Sequence, residues 1–190
     1  MSFNKFAMPF RLVVITALIV VTSVASYGQG IGNMEVTGNL GIVGGIGSHG
    51  SFGASLGAPV TDRLILAGDL SYIPMGGVNV SMPGVTTSSS AKAFNFNGNL
   101  QYQFNPRRAM VPYAGAGLGF LHSSSNTSNT GLLADPFSAS VSSTDLYFNV
   151  GGGLRYYVKE RWGFKPELMI FAGPNTYVRF AGGIFYQFGE

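Results

Sequence analysis

Apolar and polar residues alternate with a period of two along most of this chain. That pattern predicts β-strands with one greasy face and one mixed face. The last stretch shows it. Val178, Phe180, Ile184, Tyr186 and Phe188 share one parity, with Gly182 between them, while Arg179, Ala181, Gly183, Phe185 and Gln187 share the other. The clearest case lies mid-chain, where Phe94, Phe96, Gly98, Leu100, Tyr102 and Phe104 interleave with Asn95, Asn97, Asn99, Gln101 and Gln103. Asn is a poor strand former. A face crowded with amides suits a hydrated interior better than the wet side of a sandwich.

Strands are expected at Met34–Val43, Ser51–Gly57, Arg63–Ile73, Phe94–Phe104, Pro112–Leu121, Thr144–Val158, Trp162–Ala172 and Tyr177–Phe188. Roughly ten residues suffice for a tilted strand to cross a bilayer. The expectation is an all-β fold, a closed eight-stranded antiparallel up-and-down transmembrane barrel. An even strand count puts both chain ends on the periplasmic side. Ala58–Asp62, Asn105–Arg108, Lys159–Arg161 and Gly173–Thr176 read as short turns, and Gly44–Gly50 as a Gly-rich loop. Pro74–Lys92 and His122–Ser143, rich in Gly, Ser, Thr and Asn, read as long outer loops. In Pro112–Leu121 the Tyr113, Gly115, Gly117 and Gly119 side is nearly bare, which leaves room for large interior residues from facing strands.

Parity fixes which residues share a face, not which face points inward. A soluble lipocalin-like barrel would turn the apolar faces in and the amides out. The export signal at the N-terminus, the terminal aromatics and the low charge content tip the choice. Only 10% of residues are charged, against about 25% in an ordinary soluble domain, and the Phe94–Phe104 stretch holds neither Lys nor Glu. The apolar face is therefore expected to meet lipid. Its aromatics are Phe94, Phe96, Tyr102, Phe104, Phe148, Tyr156, Trp162, Phe164, Phe180, Tyr186 and Phe188. Outer-membrane lipid and lipopolysaccharide are the expected surroundings, and a monomer the expected state.

The N-terminus supports export. Lys5 and Arg11 precede the apolar run Leu12–Val21, and Ser23-Val24-Ala25 offers small residues for cleavage. Residues 1–28 are expected to be a signal peptide and 29–190 the barrel domain. Without Lys5 and Arg11, nine basic residues (11 − 2) face 8 acidic ones. That near balance, with no basic cluster read in the mature chain, argues against a nucleic-acid partner.

Three segments carry a resemblance: Gly57-Ala-Pro-Val-Thr-Asp-Arg-Leu64 with the strand after it, Val111-Pro-Tyr-Ala-Gly-Ala-Gly-Leu-Gly-Phe120, and Tyr177–Phe188. Together they resemble the OmpA-like, porin-family outer-membrane β-barrel domain, over essentially the whole mature chain. The resemblance implies an outer-membrane location and insertion by the barrel-assembly machinery, which reads a terminal aromatic such as Phe188.

Candidate chemistry is concentrated inside. Arg155, Lys165 and Glu167 point inward by parity and lie at similar depth across the Lys159–Arg161 turn. Glu35, Asp69 and Arg179 are further inward candidates. Buried charges must be paired or hydrated, and an eight-stranded barrel is just wide enough to be filled by side chains. A polar plug is the plain expectation, and a gate whose ion pairs rearrange is the sharper one. The expected role is a structural envelope protein with at most a narrow polar pore for small solutes. The alternative is a surface adhesin or receptor binding an extracellular ligand through 74–92 and 122–143, with Phe137 its one aromatic anchor. Third is a lipid A hydrolase built on His122, Ser124 and Asp145. The sequence around that pair is not that of the lipid A deacylases, so no enzyme is expected. His49 and His122 alone make no metal site, Cys is absent, and Gly41–Gly47 and Gly151–Gly153 precede no helix start. No cofactor is expected.

Overall fold

The computed structural model describes residues 34–189 other than 46, 84, 107 and 131–136. The expected signal peptide lies outside these residues, as does the side chain of Phe137. The described residues form eight strands: β1 (Met34–Gly44), β2 (His49–Pro59), β3 (Leu64–Met82), β4 (Val85–Gln103), β5 (Met110–Thr130), β6 (Phe137–Lys159), β7 (Trp162–Ala172) and β8 (Tyr177–Phe188). Each pairs antiparallel with its chain neighbours, and β8 closes on β1. The result is a closed eight-stranded up-and-down barrel. One circuit of the register runs Pro59, Ile65, Gln101, Gly115, Gly151, Met169, Arg179, Val43 and back to β2 at His49. It returns ten residues along the strand (59 − 49), the stagger that tilted strands need in order to close.

Alternation assigns every strand an inner and an outer face. Asn95, Asn97, Asn99, Gln101 and Gln103 are buried inside. Phe94, Leu100, Tyr102 and Phe104 are exposed outside. The lipocalin-like inversion is thereby excluded. All eleven aromatics expected on the apolar face lie on this outer surface, exposed or half-buried. The outward residues form an apolar band with rings near both ends. Tyr102 meets Phe104 edge-on at 5.1 Å toward the end that holds the chain termini, and Tyr72 tilts against Phe94 at 5.0 Å toward the other.

One expectation fails. The supposed loops Pro74–Lys92 and His122–Ser143 are mostly strand. β3 and β4 run to 19 residues each, β5 to 21 and β6 to 23, against 11 or 12 for β1, β2, β7 and β8. The four long strands continue past the barrel as a projecting antiparallel sheet, paired from Gly77↔Ser90 to Met82↔Val85 and from Ser123↔Ser143 to Asn129↔Phe137. Ser and Thr serve in loops as readily as in strands. Here neighbouring strands satisfy the backbone, and Val78, Val80 and Met82 alternate with Asn79 and Ser81 as a strand requires.

A bulge between Pro74 and Gly77 shifts the β3 register by one residue. Gly76 sits there at φ +85°, a conformation that suits glycine. One extra residue flips all side chains beyond it. Val78, Val80 and Met82 therefore pair with Ser89, Thr87 and Val85 on the side that overlooks the barrel mouth.

Candidate functional site

The interior is layered along the axis, starting near the rim that holds both chain ends. Glu35 of β1 is the lowest hub. Arg155 of β6 donates to it from Nε (2.8 Å) and Nη2 (3.2 Å), and Lys165 of β7 from Nζ (2.9 Å). Arg155 Nη2 also donates to Gln101 Oε1 at 2.6 Å. Gln187 Nε2 donates to the Tyr157 hydroxyl at 2.9 Å. All three charged groups are at most 5% exposed. The Tyr113 ring lies over the layer, with the Arg155 guanidinium 4.4 Å and the Lys165 ammonium 5.4 Å from its centre. Both contacts are cation–π in kind.

A second layer is centred on Arg179 of β8. It donates through Nη1 to Asp69 Oδ1 (2.8 Å) and Ser71 Oγ (3.0 Å), and through Nη2 to Glu167 Oε1 (3.0 Å). Asn39 and Asn97 donate to the Asp69 carboxylate at 3.3 and 3.5 Å. The Tyr113 hydroxyl donates to Glu167 Oε2 at 2.8 Å and so joins the two layers. The network is one connected set of three cations and three carboxylates. Its charges cancel, which is what makes them tolerable away from water.

The sequence placed these six charges inside but not in these pairs. Parity and the Lys159–Arg161 turn give Arg155, Lys165 and Glu167 a similar depth and assign no partners. In the structure Glu35 takes Arg155 and Lys165, while Glu167 bonds Arg179 and Tyr113. Partners across the barrel depend on shear, which no local pattern reveals.

Above the second layer the lumen turns apolar. Val43, Ile73, Ala93, Leu121, Tyr147, Met169, Phe171 and Tyr177 pack together, with Met75 against them. Phe171 stacks on Tyr177 at 4.5 Å and 6°, and Tyr147 meets Tyr177 edge-on at 5.2 Å. Asn95 donates to the Tyr177 hydroxyl at 2.8 Å, tying this lid to the polar layer beneath. The lid lies outside the candidate residues expected from sequence. Its signal was available: Tyr147, Phe171 and Tyr177 share the parity of the inward residues.

The bare face of β5 also has a use. A methyl group on Gly117 would fall on Asn99 Oδ1, and one on Gly119 on Asn97 Oδ1. The β4 amides lean over their β5 neighbours, Gly117 and Gly119, and occupy space that any side chain there would claim. The room left by the glycines serves the adjacent strand, not the facing one.

The His122, Ser124 and Asp145 grouping does not form a triad. His122 Nδ1 lies 2.8 Å from Thr144 Oγ1. Asp145, on the opposite face of the sheet by alternation, accepts from Ser143 at 3.4 Å. Among the described residues no cluster of His, Asp and Glu is arranged to hold a metal.

Comparison with known proteins gives one answer. The profile of the outer membrane protein β-barrel domain matches residues 14–173. No curated protein matches. Among solved structures, the N-terminal β-barrel domain of Pseudomonas aeruginosa OprF aligns with TM-score 0.55 at 22% identity, over 84% of this chain and 100% of its own. A major outer membrane protein from Thermus thermophilus aligns with TM-score 0.60 at 12% identity, over 82% and 98%. Ail, the attachment invasion locus protein of Yersinia pestis, gives 0.54 at 14%, over 83% and 99%. At these identities the likeness is one of fold.

Proposed function

Because this chain belongs to the outer membrane protein β-barrel domain family, we propose that it is an envelope protein whose lumen is closed at rest and whose role is structural. The family makes it an outer-membrane barrel. The finer reading is supported by the filled cross-section. An apolar lid of aromatic side chains lies over two layers of neutralised charge. A narrow polar pore would need both the lid and the ion pairs to move together. Export by the N-terminal segment, insertion by the assembly machinery and a periplasmic position for both chain ends belong to this proposal. So does the absence of an enzymatic role, in keeping with the separation of His122 from Asp145.

Planar-bilayer recording tests it. The purified protein is expected to give no steady conductance. Defined steps that change in Glu167→Ala would replace the sealed reading with a gate.

A second reading is favoured by the projecting sheet. Its inner face carries Val78, Val80, Met82 and Val141, with Met82 68% and Val141 70% exposed. Apolar side chains held above the barrel mouth on a paired sheet suit contact with an extracellular ligand. Whole-cell binding with 77–90 replaced by a short turn tests this, and unchanged binding would end it.

A further inference from the structure

Sorting the charges by position exposes an asymmetry that the overall balance hides. The lumen holds three of each sign. The projecting sheet and the upper barrel offer Lys92 and Asp145 among the described residues. The rim holding the chain ends is different. Among the described residues its three turns carry Arg63, Arg108, Lys159 and Arg161 against Asp62 and Glu160.

Two of these arginines share a cleft. The turn between β2 and β3 and the turn between β4 and β5 enclose about 390 Å³, lined by Asp62, Arg63, Asn105, Pro106 and Arg108. Arg63 Nη1 donates to the Tyr102 hydroxyl at 3.1 Å. Tyr102 belongs to the lipid-facing aromatic ring, so this guanidinium is fixed where the apolar band ends. A neighbouring hollow continues from Arg63 over Leu64 and Tyr102 onto the outer wall. The site thus joins a cationic cleft to an apolar track. One carboxylate against two guanidiniums leaves it net positive.

We propose that this cleft binds the phosphate headgroup of an anionic phospholipid in the adjoining leaflet. The acyl chains lie along Leu64 and Tyr102. A zwitterionic headgroup brings its own cation to Arg63 and Arg108 and is disfavoured, whereas an anionic one is not. The apolar track selects a lipid over a free anion. The assignment rests on the proposed orientation, in which this rim faces the periplasm and the leaflet beside it is phospholipid.

The test is lipid retention in native mass spectrometry, with protein released from vesicles of phosphatidylcholine and phosphatidylglycerol. The wild type is expected to retain phosphatidylglycerol preferentially. Arg63→Gln with Arg108→Gln should lower that preference by about fivefold per charge removed, the effect of one basic side chain near an anionic membrane surface. Lys92→Gln should leave it unchanged. Equal retention of both lipids, or a preference that survives the double variant, overturns the proposal. So does displacement by millimolar inorganic phosphate.

Orientation is checked separately, since the chain has no Cys. Glu160→Cys should resist an impermeant thiol reagent in intact cells, and Asn126→Cys should react. The reverse pattern refutes the orientation whatever the lipid result.

Discussion

Strands β3 to β6 cross two environments, and the boundary between them is the aromatic lid. Below it every strand has two paired neighbours, an outer face for lipid and an inner face for polar groups. Above it β3 and β6 each have one neighbour, both faces stand open, and the described residues carry almost no charge. Alternation is the same in both halves. What differs is what each parity must satisfy. In the barrel a misplaced polar group has no water to turn to. In the sheet it always has. Residue identity should therefore matter greatly below the lid and little above it.

The largest expected difference compares two carboxylates of inward parity. Glu35→Ala strands Arg155 and Lys165, both buried and both bonded to that one group. Breaking a buried pair by removing one partner costs about 3–5 kcal/mol, and here two cations lose theirs. Asp145→Ala, at the upper edge of the lid beside Leu121 and half-buried, loses one long bond from Ser143 and is expected to cost under about 1 kcal/mol. Urea unfolding followed by Trp162, the single Trp, measures both. Similar losses would mean that the lid does not divide the molecule.

Phe171→Ala comes next. The ring is fully buried, stacked on Tyr177 and 5.7 Å from the Arg179 guanidinium. Its loss should cost about 3 kcal/mol, at the lower end for a buried Phe. The purified variant should still give no steady conductance, because the two charged layers beneath continue to fill the lumen.

A third comparison contrasts two glycines at similar depth. Gly119→Ala forces a methyl onto Asn97 Oδ1 and the Phe96 carbonyl, whereas Gly98→Ala meets nothing within 4 Å on the outer wall. Overpacking against backbone costs about 1–3 kcal/mol. The outer change should stay within about 0.5 kcal/mol. Thermal unfolding read by the gel shift of the folded barrel ranks them.

These contrasts also mark what the sequence could reveal. Face assignment was legible because it is local: Asn95 to Gln103 alternate with Phe94 to Phe104 whatever the rest of the chain does. Strand count followed from repetition of that pattern, and β7 and β8 have the bounds expected from it. Pairing of charges was not legible. Glu35 and Lys165 are 130 residues apart and meet only because a stagger of ten residues brings β1 and β7 to one depth. The projecting sheet is hidden from the sequence for a different reason. Ser and Thr suit both strand and loop, and the Pro74–Gly77 bulge reverses the parity that β3 had established. A reader counting by twos from Leu64 would turn Val78 and Val80 to the wrong side.

The smallest expected effect is the sharpest test of the boundary. Val141 and Val150 lie on one strand, nine residues apart (150 − 141), and both are exposed. Exposure means lipid at Val150 and water at Val141. A lysine on the lipid face costs about 2–4 kcal/mol near the bilayer middle, because hydrocarbon cannot solvate the ammonium. The same ammonium at 141 remains hydrated, so Val141→Lys should shift stability by less than about 0.5 kcal/mol in lipid vesicles. Equal penalties at the two sites would put the sheet inside the membrane and overturn the division at the lid. A small penalty at 141 that grows in intact envelopes would point instead to a partner seated on the inner face of the sheet, since only a covered valine resists charge.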